Sequence, residues 1–164
     1  MRESILALFG HFYDDRQTAS SAIYIGDPDL LLIEDGTYFV GEAGGELVCC
    51  GGWSRRDRMH AGSDDAGDAR LLDPRTEAAR VRAMFVRADW TRRGLGRAIL
   101  EACERAARDE GFSMLTLNAT LPGVPLYRAC GFRELGRRPV TMPDGVTVDC
   151  VTMERAVSAG PASA

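Results

Sequence analysis

Apolar and polar positions change period several times along this chain, and each change marks an element. Residues 2–12 place Ile5, Leu6, Leu8, Phe9 and Phe12 at helical spacing, which predicts a helix. Residues 13–28 are polar and end at Asp27-Pro28, which predicts loop. The run Leu30-Leu31-Leu32-Ile33 is short and apolar and stops at Asp35-Gly36, a turn signal. Thr37 to Val40 and Leu47 to Trp53 flank Ala43-Gly44-Gly45 and read as an antiparallel pair. Residues 54–75 are the longest polar stretch. A loop that long inside a compact domain is usually functional or disordered.

The second half is more regular. Residues 78–87 read as a central strand, with Val81, Ala83 and Phe85 on one face and Met84 and Val86 on the other. Residues 95–110 give the clearest helix. Leu95, Ile99, Ala102, Cys103 and Ala106 form its apolar stripe, and Glu101–Arg105 and Glu104–Arg108 form i,i+4 pairs outside it. Gly111 is its expected stop. Residues 114–119 read as a strand, 124–130 as a short helix closed by Gly131, and 132–135 as the start of a strand. Residues 146–153 follow the turn Pro143-Asp144-Gly145 as a last strand. Exposed at an edge, that strand would pair two copies into a homodimer. Residues 156–164 are small and are expected to be a disordered tail. The order of elements is that of one mixed α/β domain over residues 1–155, and 164 residues suffice for its core.

Composition narrows the function. The net charge is −4, which argues against nucleic acid as a partner, since binding it favours a basic surface. No apolar run approaches the roughly 20 residues of a membrane span, and the start has no signal-peptide pattern. The expected location is therefore cytoplasmic. Five cysteines form no CxxC pair and only two histidines accompany them. No metal is expected, and reduced, buried thiols are.

The chemistry concentrates in Arg92-Arg93-Gly94-Leu95-Gly96-Arg97, between a strand and a helix. Glycines without a Cβ allow close approach of a ligand. The first N–H groups of a helix lack intrahelical partners and sit at the positive end of its dipole. Three guanidinium groups add donors suited to phosphate oxygens. The turn therefore reads as a pyrophosphate site. It lacks the Lys of a P-loop and the third glycine of the dinucleotide fingerprint.

Residues 84–97, Met-Phe-Val-Arg-Ala-Asp-Trp-Thr-Arg-Arg-Gly-Leu-Gly-Arg, resemble the acyl-coenzyme A motif of the GNAT family of N-acetyltransferases. Downstream, Leu126-Tyr127-Arg128-Ala129-Cys130-Gly131-Phe132 resembles that family's LYxxxGF segment. The likeness covers roughly residues 37–154. It implies a mostly antiparallel central sheet with helices on both faces and a splayed parallel strand pair, 80–87 and 113–119, in the middle. It implies acetyl-CoA as co-substrate. The backbone of Met84, Phe85 and Val86 would hold the pantetheine arm, the 92–97 turn the pyrophosphate, and Tyr127 would protonate the departing thiolate. A phenol with a pKa near 10 suits that last step.

Three departures stand out. Thr91 occupies a position that is usually Gln or Arg. Thr120, with Asn118 nearby, stands where the family often has an Asn that contacts the cofactor. The family's first strand is either missing, replaced by residues 29–33, or supplied otherwise.

The acceptor side is less explicit. Glu77, His60, Asp57 and Glu42 are candidate bases, with Glu77 favoured for its place before the central strand. Trp53, after Gly51-Gly52, reads either as an acceptor-pocket wall or as core. Arg55 and Arg56 would suit an acceptor bearing a carboxylate or phosphate. Transfer of acetyl from acetyl-CoA to a primary amine of a small molecule or peptide is the leading reading. A non-catalytic acyl-CoA sensor or interaction module is the alternative.

Overall fold

Six strands form the sheet in the computed structural model, which describes residues 1–59 and 70–158. They are β1 (Tyr38–Ala43), β2 (Glu46–Ser54), β3 (Ala79–Val86), β4 (Met114–Thr120), β5 (Arg133–Thr141) and β6 (Thr147–Ala156). Their spatial order is β1-β2-β3-β4-β6-β5. All neighbours are antiparallel except β3 and β4. That parallel pair is registered only at Ala79↔Leu115 and Arg80↔Thr116. Beyond Arg80 the two strands part, and the sheet opens between them.

Helices cover both faces. On one side lie α4 (Leu95–Asp109) and α5 (Val124–Ala129), packed with Val81, Leu115, Leu117, Ala119, Val151 and Met153. On the other lie α1 (Arg2–Leu8) and α2 (Asp15–Tyr24). There Ile5, Phe9, Tyr13 and Ala22 pack with Met142, Val148 and Cys150. The alternation along β6 divides the two cores: Val151 and Met153 face α4 and α5, while Val148 and Cys150 face α1 and α2.

The central strand breaks its own alternation. Cys50 pairs with Phe85 and Gly52 with Arg82, so one residue of β2, Gly51, opposes two of β3, Ala83 and Met84. This is a β-bulge. Ala83 adopts a φ of 55°, which costs a non-glycine residue about 1–2 kcal/mol. Before the bulge Val81 packs in the α4 core; after it Met84 and Val86 do, and Phe85 packs in the α1 core. Val81 and Phe85 therefore do not share a face, contrary to strict alternation. Gly51 permits the kink, since a Cβ there would lie 2.3 Å from the Met84 sulfur.

Four further expectations change. Residues 13–28 hold α2, whose buried positions are Thr18, Ser20, Ser21 and Ala22. Such a small, polar face gives no apolar period. Residues 29–33 do not replace a strand; Asp29 caps the short helix α3 (Leu30–Glu34) by accepting from the Leu32 N–H at 3.3 Å. Among the described residues no strand precedes Tyr38. The last strand is not at an edge, because β6 lies between β4 and β5; its pairing groups are already used and cannot join two copies. Glu104 does not pair with Arg108. It is buried, sits 2.6 Å from Arg155 and accepts from the Ser158 N–H.

The tail expected at 156–164 begins later, since Ala156 ends β6; residues 159–164 lie outside the described residues. All five cysteines are free thiols, and four of them are buried. Among the described residues no helix is long and apolar enough to cross a membrane, and no His, Cys, Asp and Glu cluster could hold a metal.

Candidate active site

The opening between β3 and β4 is continuous with a cavity of about 610 Å³ that touches both cores. On the α4 side it is lined by Met84, Val86, Arg92, Gly94, Leu95, Gly96, Arg97, Leu126 and Tyr127. On the α1 side it meets Ile5, Phe9, Phe85, Met142 and Cys150. Ten of the expected site residues thus share one space: Met84, Phe85, Val86, Arg92, Gly94, Leu95, Gly96, Arg97, Thr120 and Tyr127.

The turn ahead of α4 is built by backbone conformation. Arg92 (φ 63°) and Gly94 (φ 80°) are both left-handed, and Gly94 is the N-cap. No side chain caps the helix, and the first intrahelical bond runs from the Ala98 N–H to the Gly94 carbonyl. The N–H groups of Leu95, Gly96 and Arg97 are therefore available at the cavity wall.

The two glycines act differently. A Cβ at Gly94 would meet nothing within 4 Å, so its role is conformational. A Cβ at Gly96 would lie 2.9 Å from Leu126, so Gly96 lets α4 and α5 approach. Arg92 is exposed, and Arg97 donates to the Ala129 carbonyl at 3.4 Å. Arg93 does not line the cavity; its guanidinium stacks 4.5 Å over Trp90 and donates to the Asp89 carbonyl. The Thr91 hydroxyl is turned inward to the Ala88 carbonyl at 2.9 Å.

Tyr127 is buried, its ring edge-on to Phe132 at 5.7 Å. Its hydroxyl has no hydrogen-bond partner among the described residues. Burial, with Cys103 and Cys130 close by, pushes its pKa well up. It therefore stays protonated at any ordinary pH and is a standing donor. Thr120 ends β4 opposite Cys150, on the α1 face. Asn118, two residues earlier, accepts from the Thr152 hydroxyl at 2.9 Å and leaves its buried amide nitrogen without a partner.

The acceptor-side expectations are not brought to this cavity. Trp53 is wholly buried and edge-on to Phe112 at 5.7 Å, so it is a core residue in the structure. Arg55 packs against Trp53 and pairs with Glu110 at 2.8 Å; Arg56 pairs with Asp35 at 2.8 Å. Glu77 accepts from Arg70 through both oxygens and from the Asp73 N–H, which lowers its pKa to about 2. Such a carboxylate is a poor base. Asp57 is bound by Arg70 and Arg80, and Glu42 lies exposed in β1. His60 lies outside the described residues.

Two contributors are invisible in motif terms. The Tyr13 hydroxyl donates to the Asp149 carbonyl at 2.6 Å and accepts from the Leu121 N–H at 2.9 Å. It ties the α1–α2 corner to β6 and to the residue after Thr120. The capping box Asp14…Gln17 beside it is the sequence signal that would have fixed its place. Arg82 lines the cavity, buried, with Asp29 2.8 Å away.

Comparison with known proteins agrees with this geometry. A GCN5-related N-acetyltransferase from Rhodopseudomonas palustris superposes with a TM-score of 0.72 at 18% identity, covering 94% of this chain and 84% of that one. The PaiA N-acetyltransferase of Thermoplasma acidophilum, solved in complex with coenzyme A, gives 0.58 at 13% identity over 94% and 87%. The ribosomal-protein-alanine N-acetyltransferase of Brucella melitensis gives 0.59 at 20% identity over 95% and 96%. At these identities the likeness is one of fold. The Acetyltransferase (GNAT) family itself matches residues 2–132, and the chain belongs to that family.

Proposed function

We propose that the protein transfers the acetyl group of acetyl-CoA to a primary amine of a small molecule or peptide, by direct attack with Tyr127 as general acid. The observation that carries this reading is that Tyr127, a buried side chain whose hydroxyl has no partner among the described residues, lines the same cavity as the uncapped N-terminus of α4.

The residues present fit the donor. The N–H groups of Leu95 to Arg97, with Arg92 and Arg97, would hold the pyrophosphate. The β3 backbone at Met84, Phe85 and Val86, which β4 leaves unpaired, would take the pantetheine arm, with Thr120 a further contact. The thioester supplies an activated acetyl carbonyl. As the amine nitrogen bonds to that carbon, the carbon–sulfur bond breaks. The Tyr127 proton goes to sulfur, the amine's proton leaves to water through the cavity mouth, and water returns a proton to the Tyr127 phenolate.

Acetyl-CoA at millimolar concentration is expected to raise the melting temperature. Tyr127→Phe should keep that rise and slow turnover by about a hundredfold or more. No rise would remove the donor assignment. A rise without thiol release on any amine would leave a non-catalytic acyl-CoA-binding module.

A further inference from the structure

The two sides of the cavity differ in chemistry. Its α4 side carries Arg92 and Arg97 and open backbone N–H groups. Its α1 side is walled by Ile5, Phe9, Ile25, Phe85, Met142 and Val148. Two charged side chains reach that side among the described residues, and each already has its counter-charge. Arg82 pairs with Asp29 at 2.8 Å, and Asp27 pairs with Arg2 at 2.9 Å. Arg55 and Arg56, which would have met an acidic acceptor, are held by Glu110 and Asp35 and stand outside the cavity.

Resting on the acetyltransferase reading above, we infer that the acceptor presents its amine on an apolar body without a second charge, as an arylalkylamine does. A polyamine would need carboxylates beyond its reacting end. An amino acid or sugar phosphate would need a free guanidinium. Among the described residues neither is provided on the α1 side, and taking water from a second charge against such walls has nothing there to offset it. An apolar body gains from the same walls by leaving water.

This side is also a mouth rather than a closed pocket. Leu8, Ile25 and Val140 are half-buried at its margin, and Asp27 is exposed. A wall open to solvent admits an incoming acceptor. An acyl tail longer than acetyl would instead need an enclosed space beyond the thioester.

The test uses the full-length protein with saturating coenzyme A. 2-Phenylethylamine is expected to raise the melting temperature of the coenzyme A-loaded protein further, and putrescine at equal concentration is not. With saturating acetyl-CoA, thiol release should give 2-phenylethylamine a kcat/KM at least about tenfold above putrescine, the scale at which apolar pockets discriminate. Val140→Glu adds a carboxylate at the half-buried margin. It should cut that ratio about tenfold while the rise with coenzyme A persists.

A preference for putrescine or for glutamate overturns the inference, as does the absence of any shift with 2-phenylethylamine. Faster thiol release from octanoyl-CoA than from acetyl-CoA also overturns it, because the apolar walls would then serve the acyl chain. Failure of coenzyme A alone to shift the melting temperature is a separate result: it removes the donor assignment itself.

Discussion

The two faces of the sheet meet at one cavity but are built by different means. On the α4 face the wall is largely backbone: left-handed Arg92 and Gly94, an uncapped helix start, and a glycine that lets α5 come close. On the α1 face it is side chains: Ile5, Phe9, Phe85 and Met142 in a small core of their own. Backbone sites constrain which residues can stand at a few positions, so they leave a motif. Side-chain walls tolerate any packing of similar volume, so they leave none. On the proposed reading, the wall that would hold the donor is the one that leaves a motif, and the wall that would meet the acceptor is the one that leaves none.

The contrast can be broken by substitution. The largest effect is expected at Gly96→Val, because the first Cβ already meets Leu126 at 2.9 Å. It should push α5 and Tyr127 away from α4. Turnover should fall by at least about a hundredfold, and the thermal shift with acetyl-CoA should vanish. A variant with ordinary kinetics would show that the close approach is dispensable.

Tyr13→Phe strikes the other face. It strands the Leu121 N–H and releases the Asp149 carbonyl, at about 1–3 kcal/mol of stability. Chemical denaturation should show that loss with the slope unchanged. If stability holds but acceptor KM rises, Tyr13 matters for position more than for cohesion. Arg92→Ala should be milder. It removes one charge-assisted contact from a mainly backbone site, raising the acetyl-CoA Kd about tenfold and leaving kcat near its original value.

The smallest effect is reserved for Glu77→Gln, which does not line the cavity. Its carboxyl is lowered from 4.5 to about 2 by Arg70 and the Asp73 N–H. A depressed folded pKa gives stability that is present above pH 4.5 and lost as pH falls toward 2. Melting curves of the variant should depend less on pH across that window. Activity at pH 7 should be unchanged; a large loss there would restore Glu77 as a base.

Legibility followed the same division. Residues 84–97 and 126–132 disclosed the family because backbone demands fix residue types at fixed spacing. The hairpin at Gly44-Gly45, both with positive φ, was legible for the same reason. Helix α2 was not, because Thr18, Ser20, Ser21 and Ala22 are what it buries; only the Asp14…Gln17 box announces it. Glu104 looked like half of a surface pair, yet Arg155, distant in sequence, claims it in space. Trp53 held two readings, and Phe112 across the core selects the packed one.

The bulge at Ala83 has a consequence for anyone who alters β3. The strand is written in two reading frames joined at one residue. Upstream of the join, odd positions look toward α4; downstream, even positions do. Deleting Ala83 would take out the extra residue and leave a plainly alternating strand, with Met84 and Val86 still on the α4 face and Phe85 still on the α1 face. Flattening the bulge with Ala83 kept would instead exchange the two walls, placing Phe85 on the α4 face with Val81 and Met84 on the α1 face.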